Sequence, residues 1–254
     1  MARRILITGA ASGIGKATVE RLRAAGDDVI GVDLRNADIE ADLGTPEGRA
    51  HMIEQAVRLS GGMLDGVLAG AGISNWDRPR ETIAINFFGA IATLEGLRPM
   101  LAKSSRARAV GICSTSLMLP GNAEVVETLL AGDENAAMDQ AAAAPATTYF
   151  DTKRALALWI RRMAQRPEWA GAGILLNGVG PGVIATPMTV PLFSQPEMID
   201  ALARSNPMAV TDYAGPDEVA ELIGFLLGFE NHYLLGQIIF IDGGTDAIMR
   251  PEMV

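Results

Sequence analysis

Tyr149 and Lys153 stand four residues apart in TTYFDTKRAL, and Leu156, Ile160 and Met163 continue their spacing as 4, 3, 4, 3. At about 100° per residue these five side chains form one stripe of an α-helix, expected over 147–165. Asp151, Arg154, Arg161 and Arg162 fall on the far side and are expected in water. A lysine on the inward stripe is costly unless something uses its charge. The alternative is a side chain that snorkels at a helix end. A phenol is a poor base at its ordinary pKa of about 10, and an ammonium one turn away favours the phenolate. Such a pair would exchange a proton with a bound hydroxyl or carbonyl oxygen.

Two serines in ICSTS, Ser114 and Ser116, close an apolar run one strand period apart. Either hydroxyl would stabilise charge developing on that oxygen. Asn86, in INFFG, is an amide in an apolar stretch and so needs partners.

A second group is read near the N-terminus. TGAASGIGKAT places Gly9, Gly13 and Gly15 between an apolar run and a helix, with Ser12 as the expected cap. Glycine permits a tight turn, close approach of a ligand and close packing of the helix. The helix N-terminus then offers N–H groups to a pyrophosphate, so Gly9, Ser12, Gly13, Ile14 and Gly15 are the expected site. Asp33 lies 18 residues past Gly15 at the end of DVIGVD. A carboxylate there accepts hydrogen bonds from the adenosine ribose and repels a 2′-phosphate, which favours NAD over NADP. Arg35 would soften that preference. Asp42, with Leu43 beside it, is placed to meet the adenine amino group.

The elements that must hold these residues alternate. Strands are expected at 4–8, 28–33, 65–70, 107–114, 174–179 and 237–241, and helices near 13–25, 46–60, 79–102, 147–165 and 216–228. Continuous apolar strands such as ILIT and IIFI suit a parallel sheet buried on both faces. The expected fold is α/β: a single Rossmann-type domain over 1–254, its doubly wound parallel sheet covered by helices on both faces. Residues 115–147 break the alternation with an alanine-rich, helix-favouring insertion that should divide at Gly132.

Composition narrows the classes. The chain has 254 residues, 49% of them apolar, and no run long enough for a membrane span. Its net charge of −9 disfavours nucleic acid and anionic membranes. One cysteine, Cys113, suits a reducing cytoplasm. His51 and His232 are far apart with no second ligand near either, so no metal site is expected.

In these pieces the chain resembles the short-chain dehydrogenase/reductases over its entire length. TGAASGIG, AGAG at 69–72, INFFG, ICSTS, YFDTK and GPGVIATP at 180–187 carry the resemblance together and in order. It looks most like the bacterial 3α-hydroxysteroid dehydrogenase/carbonyl reductase branch, through the Asp33–Arg35 strand end, the long insertion and the ending IDGGTDAIMRPEMV. Three departures stand out. AGAG replaces the usual NNAG and loses an asparagine that steadies the sheet. Ser114 and Tyr149 are 35 positions apart, far more than is usual. Leu176 replaces a valine before Asn177.

The resemblance implies an NAD(H)-dependent oxidoreductase that interconverts a hydrophobic secondary alcohol, such as a 3α-hydroxysteroid, and its ketone. It implies Tyr149 as general acid/base and Lys153 as the residue that tunes it and holds the nicotinamide ribose. It implies Ser114, rather than Ser116, on the substrate oxygen, and Asn86 as holder of a relay water. Gly70 would border the cofactor, and Ile184 and Thr186 would hold the carboxamide. The segment 187–213 would form an apolar lid bearing Met188, with Trp76 and Ser116 adding to the substrate pocket. The insertion would block a common tetramer surface and leave a different dimer contact, or be a plain surface excursion; a homodimer or homotetramer is implied, and the tail at 247–254 would reach a partner or the core. The alternatives are a carbonyl reductase acting on non-steroid aromatic or terpenoid ketones, a sugar epimerase or dehydratase of the same fold, which would have a longer substrate domain, and a non-catalytic redox sensor, which has no need of the full set Asn86, Ser114, Tyr149 and Lys153.

Overall fold

Ile5, Leu6 and Ile7 are fully buried, and they alternate between two cores: Ile5 and Ile7 enter one, Leu6 the other. Successive side chains of a strand point to opposite faces, so this strand is buried on both sides. It is β1 (Arg4–Thr8) of a seven-stranded sheet with β2 (Asp28–Asp33), β3 (Ile39–Glu40), β4 (Gly66–Ala69), β5 (Arg108–Ile112), β6 (Leu175–Pro181) and β7 (Ile238–Ile241). Every pairing is parallel and the order is β3-β2-β1-β4-β5-β6-β7. The computed structural model describes residues 2–194, 196–230 and 232–253; Met1, Gln195, Asn231 and Val254, the last of the expected tail, lie outside the described residues.

The helices are α1 (Gly13–Ala24), α2 (Pro46–Ser60), α3 (Pro79–Ile83), α4 (Ala90–Leu101), α5 (Ala123–Ala131), α6 (Glu134–Ala143), α7 (Thr148–Ala164), α8 (Pro196–Ser205), α9 (Pro216–Gly228) and α10 (Thr245–Met249). Val19 and Leu22 of α1 and Val219, Ile223 and Leu226 of α9 cover one face of the sheet. Met52, Leu94, Leu97, Leu156 and Ile160, from α2, α4 and α7, cover the other. The expected doubly wound architecture is therefore present. The two-residue β3 was not expected, because a strand that short shows no period.

Strand order reverses between β1 and β4. Adjacent crossovers leave in opposite directions there, which opens a crevice at the carboxyl ends of the strands. The turns after β1, β4, β5 and β6 all border it.

The insertion folds as two capped helices. Asn122 Oδ1 accepts from the amides of Glu124 and Val125, and Asp133 Oδ1 accepts from Ala136. Gly132 separates them in the left-handed region at φ +81°, where a side chain would be strained. Val125, Val126 and Leu129 of α5 are buried beside α7, while α6 lies on α3. This cover overturns one expectation. Asp151 was expected in water but is 1% exposed, and its carboxylate accepts from Asn122 N and Thr147 Oγ1, both at 2.7 Å. Arg154 is half-buried and donates to the carbonyls of Leu117 and Leu119. Of the far-side charges, only Arg161 and Arg162 face solvent. The pattern along α7 was read correctly, but the element that would cover its outer face lay in another stretch of sequence.

Candidate active site

One cleft of about 340 Å³ brings together most of the residues singled out in the sequence. Gly9, Ser12, Gly13, Ile14, Gly15, Asp33, Asp42, Leu43 and Gly70 line one part, and Ser114, Tyr149, Lys153, Ile184, Thr186 and Met188 the other.

The glycine turn is shaped by contact. Gly9, at φ +77°, lies against the backbone of Gly70 and Ala71, and a Cβ on Gly15 would collide with the Gly9 carbonyl oxygen. Only glycine lets α1 approach the turn this closely. Ser12 makes no side-chain cap bond, contrary to the expectation, and no acidic residue stands in the first turn of α1. The first-turn amides are thus left uncapped beside the cleft, which suits an anion. Asp33 Oδ2 accepts from Ala11 N at 2.9 Å and Oδ1 from Leu34 N, so the carboxylate is fixed at the strand end. Asp42 closes its own turn, accepting from Gly44 N.

The AGAG segment lacks its usual asparagine, and Thr8 holds the segment from β1. The Thr8 hydroxyl, at the end of β1, accepts from the amides of Gly70 at 3.0 Å and Ala71 at 3.2 Å. The sequence signal for this bond is a hydroxyl that ends the apolar run Ile5–Ile7. Asn86 lies in a π-helical turn, Ala84–Gly89, between α3 and α4. Turns of this kind interrupt a helix and gather at functional sites. Its Oδ1 accepts from Ile73 N and its Nδ2 donates to Ile73 O, both at 2.8 Å. The amide thereby clamps the loop after β4.

Tyr149 and Lys153 lie on the inner face of α7. Burial is the main influence on the Tyr149 phenol and pushes its pKa above the ordinary value, while a hydrogen bond with the Ser114 side chain pulls it back. The ammonium lies 5.6 Å from the phenol ring centroid and donates to the Ile112 carbonyl oxygen at 2.8 Å. Burial lowers the Lys153 pKa to about 8, and it drives the neighbouring Cys113 thiol up to about 12.

The two serines separate. Strand β5 ends at Ile112, and a 3₁₀ turn, Thr115–Met118, follows Ser114. This turn cancels the strand period that would have put both hydroxyls on one side. Ser114 faces the cleft, while Ser116 is buried with its hydroxyl unpartnered and gives only its amide, to Ser114 Oγ at 3.1 Å. Ser116 is thus not a pocket residue. Trp76 is 59% exposed and does not line the cleft either. Met188 does line it.

Beyond β6, the Ile184 carbonyl is taken by the hydroxyl of Thr189, which also accepts from Thr186 N at 3.1 Å. Thr189 was not anticipated. The lid segment continues through a 3₁₀ turn, Val190–Ser194, and α8, and Phe193 stacks on Tyr213 at 4.7 Å. Among the described residues, no three His, Cys, Asp or Glu side chains are grouped to hold a metal ion, and no helix is long and apolar enough to cross a membrane.

With this arrangement in view, the chain was compared with known proteins. Residues 9–246 match a family model described as enoyl-(acyl carrier protein) reductase. The chain belongs to the short-chain dehydrogenase/reductase family. Within this oxidoreductase family it is 33% identical to the 3-alpha-hydroxysteroid dehydrogenase/carbonyl reductase of Comamonas testosteroni, over 97% of this chain and 98% of that one. It is 28% identical to a coniferyl-alcohol dehydrogenase from Pseudomonas sp. strain HR199, over 95% and 96%. Among solved structures, the 3-alpha-hydroxysteroid dehydrogenase from Pseudomonas sp. B-0831, complexed with NADH, superimposes with a TM-score of 0.92 at 38% identity, covering 99% of this chain and all of that one.

Proposed function

We propose that this short-chain dehydrogenase/reductase is an NAD(H)-dependent enzyme that interconverts a bulky hydrophobic secondary alcohol, a 3α-hydroxysteroid in the first instance, and its ketone. One observation carries the reading. The Tyr149 phenol and the Ser114 hydroxyl line the same cleft that holds the uncapped glycine turn and Asp33.

The dinucleotide fits the residues present. The uncapped amides of α1 suit its pyrophosphate, and Asp33 suits an unphosphorylated adenosine ribose. Lys153 would hold the nicotinamide ribose, and the Ile184–Thr186 turn the carboxamide. Bound there, the nicotinamide supplies the hydride acceptor or donor. The chain's own residues handle the proton. Ser114 orients the substrate oxygen and stabilises charge developing on it. Tyr149 takes the hydroxyl proton in oxidation and returns one to the oxygen in reduction. Burial keeps the phenol protonated in the free protein, a resting state suited to ketone reduction. Oxidation calls for the cationic neighbourhood of Lys153 and the oxidised ring to make the phenolate tolerable.

Met188 and the other apolar lid residues support an apolar substrate, and the relatives' names support a steroid. The protein would act as a homo-oligomer whose contacts avoid α7, because the insertion covers that helix. The test is a panel of steroid, aromatic and terpenoid ketones with NADH and NADPH, followed by loss of nicotinamide absorbance. Tyr149→Phe should lose turnover by at least about 10²-fold while still binding NADH. Absence of turnover with every ketone, together with tight NADH binding, would favour a redox sensor instead.

A further inference from the structure

Thr115 follows Ser114 directly in the chain, yet the two hydroxyls serve different neighbours. Ser114 faces the cleft and Tyr149. Thr115, 3% exposed, reaches Asn206 Oδ1 at 2.9 Å. Asn206 immediately follows α8, the helix of the lid. Its orientation is fixed on both sides, since its backbone amide donates to Leu202 O and its Nδ2 donates to Ser205 Oγ. Because Nδ2 is so engaged, Oδ1 is left as the acceptor and Thr115 as the donor. Among the described residues, this is the only side-chain hydrogen bond or ion pair joining residues 190–208 to the body; before it Thr189 is tied to Ile184 and Thr186 at the root of the lid, and after it the amide of Ala209 donates to the Gly243 carbonyl.

The geometry points to the Thr115–Asn206 pair as a latch that sets the lid relative to the substrate-oxygen site, making both positioning residues for substrate specificity. The inference rests on the activity proposed above. A single turn of backbone holds the serine that would orient the oxygen and the threonine that holds the lid, so the two cannot shift independently. Met188, at the start of the lid, lines the cleft and is the wall that such a tie would position. An apolar contact would hold a lid down equally well but would not fix its register. A single buried donor–acceptor pair does fix it, because any slip leaves Thr115 unpaired.

The test uses the full-length protein with NADH and two probes, a 3-oxosteroid that would reach the lid and cyclohexanone that would not. Thr115→Val and Asn206→Leu each remove the bond with little change in volume. Thr115→Ser keeps the donor and Asn206→Asp the acceptor. The expected result for Val and Leu is a KM for the steroid raised roughly 3- to 10-fold, the effect of one hydrogen bond. The NADH Kd and kcat with cyclohexanone should stay within about twofold of the parent protein. The Ser and Asp variants should behave as the parent, and the Val/Leu double variant should be no worse than either single one, as expected of a coupled pair.

A second readout needs no activity. Arg204 is exposed near the end of α8, and tryptic cleavage after it should quicken roughly 3- to 10-fold in the Val and Leu variants if local opening is what they ease. The latch is overturned if steroid KM and Arg204 cleavage are both unchanged. It is equally overturned if NADH affinity and cyclohexanone kcat fall alongside steroid KM, which would mark general loss of structure. A parent protein inactive on every ketone would sink the proposed activity, while the cleavage series would still decide whether the bond holds the lid.

Discussion

The ammonium of Lys153 donates to the carbonyl oxygen of Ile112, the last residue of β5, at 2.8 Å. Helix α7 is thereby tied to the strand whose continuation carries Ser114. The same bond satisfies a buried cation, which would otherwise be costly. Above this junction stands Gly72, where a Cβ would lie 3.2 Å from Asn86 Oδ1 and 3.6 Å from Lys153 Nζ. The loop after β4, the π-helical turn and α7 therefore meet at one point.

Gly72→Ala should test that meeting. The added methyl presses on the amide clamped to Ile73 and meets the lysine at ordinary contact distance. We expect kcat to fall by about 10- to 100-fold, as for a misplacement of under an ångström near the chemistry, while NADH affinity changes little. Steady-state kinetics beside fluorescence titration of NADH would check this; an unchanged kcat would show that the junction gives freely.

The serine assignment has its own contrast. Ser114→Ala removes the hydroxyl that faces the cleft beside Tyr149 and should cost about 10²–10³-fold in kcat. Ser116→Ala removes a buried hydroxyl without a partner, and burying an unpaired polar group is unfavourable. The variant should keep its activity and melt at the same temperature or slightly higher. Equal losses in the two variants would overturn the distinction.

The contrast between these serines marks where sequence reading stopped. The strands, the glycine turn and the Tyr149 stripe were legible because each is a local pattern, repeating within a single element. Gly132 was legible as a helix break for the same reason. The fates of Ser116 and Asp151 were not, since each depends on a local departure or a distant neighbour: a 3₁₀ turn that undoes the strand period, and an inserted helix laid over α7. Thr8 and Thr189 were missed because their hydroxyls serve backbone groups, and such partners leave no trace in residue spacing. Trp76 was misjudged because an aromatic residue near a site suggests a wall, whereas only the fold decides which way it faces.

Lys153 predicts a pH dependence. Its pKa in the folded chain is about 8 against an ordinary 10.5. Between those values the unfolded chain holds the proton that the folded one has released, so stability rises with pH through that window. The gain is bounded at roughly 3 kcal/mol. Tyr149 acts with the opposite sign only above its ordinary value of 10, because its pKa is raised. Denaturant melts between pH 7 and 10 should therefore show stability climbing in the parent relative to Lys153→Met, and parallel curves for the two would contradict the burial argument.

Asp33 carries the cofactor preference, and two substitutions separate its charge from its structural bond. Its Oδ2 accepts from the Ala11 amide inside the glycine turn, so Asp33→Ala loses both the charge and the anchor. Asp33→Asn keeps an oxygen acceptor for Ala11 and loses only the charge. If repulsion of a 2′-phosphate sets the preference, Asn should narrow the ratio of kcat/KM for NADH over NADPH by about 10-fold or more, the scale of one charge interaction near a protein surface. Ala should narrow it similarly while weakening both cofactors, because the turn is released. Measuring kcat/KM for the two cofactors at two ionic strengths adds a control, since salt screens the exposed part of the repulsion. A ratio unmoved by Asn but shifted by Ala would assign the preference to the shape of the turn rather than to the carboxylate's charge.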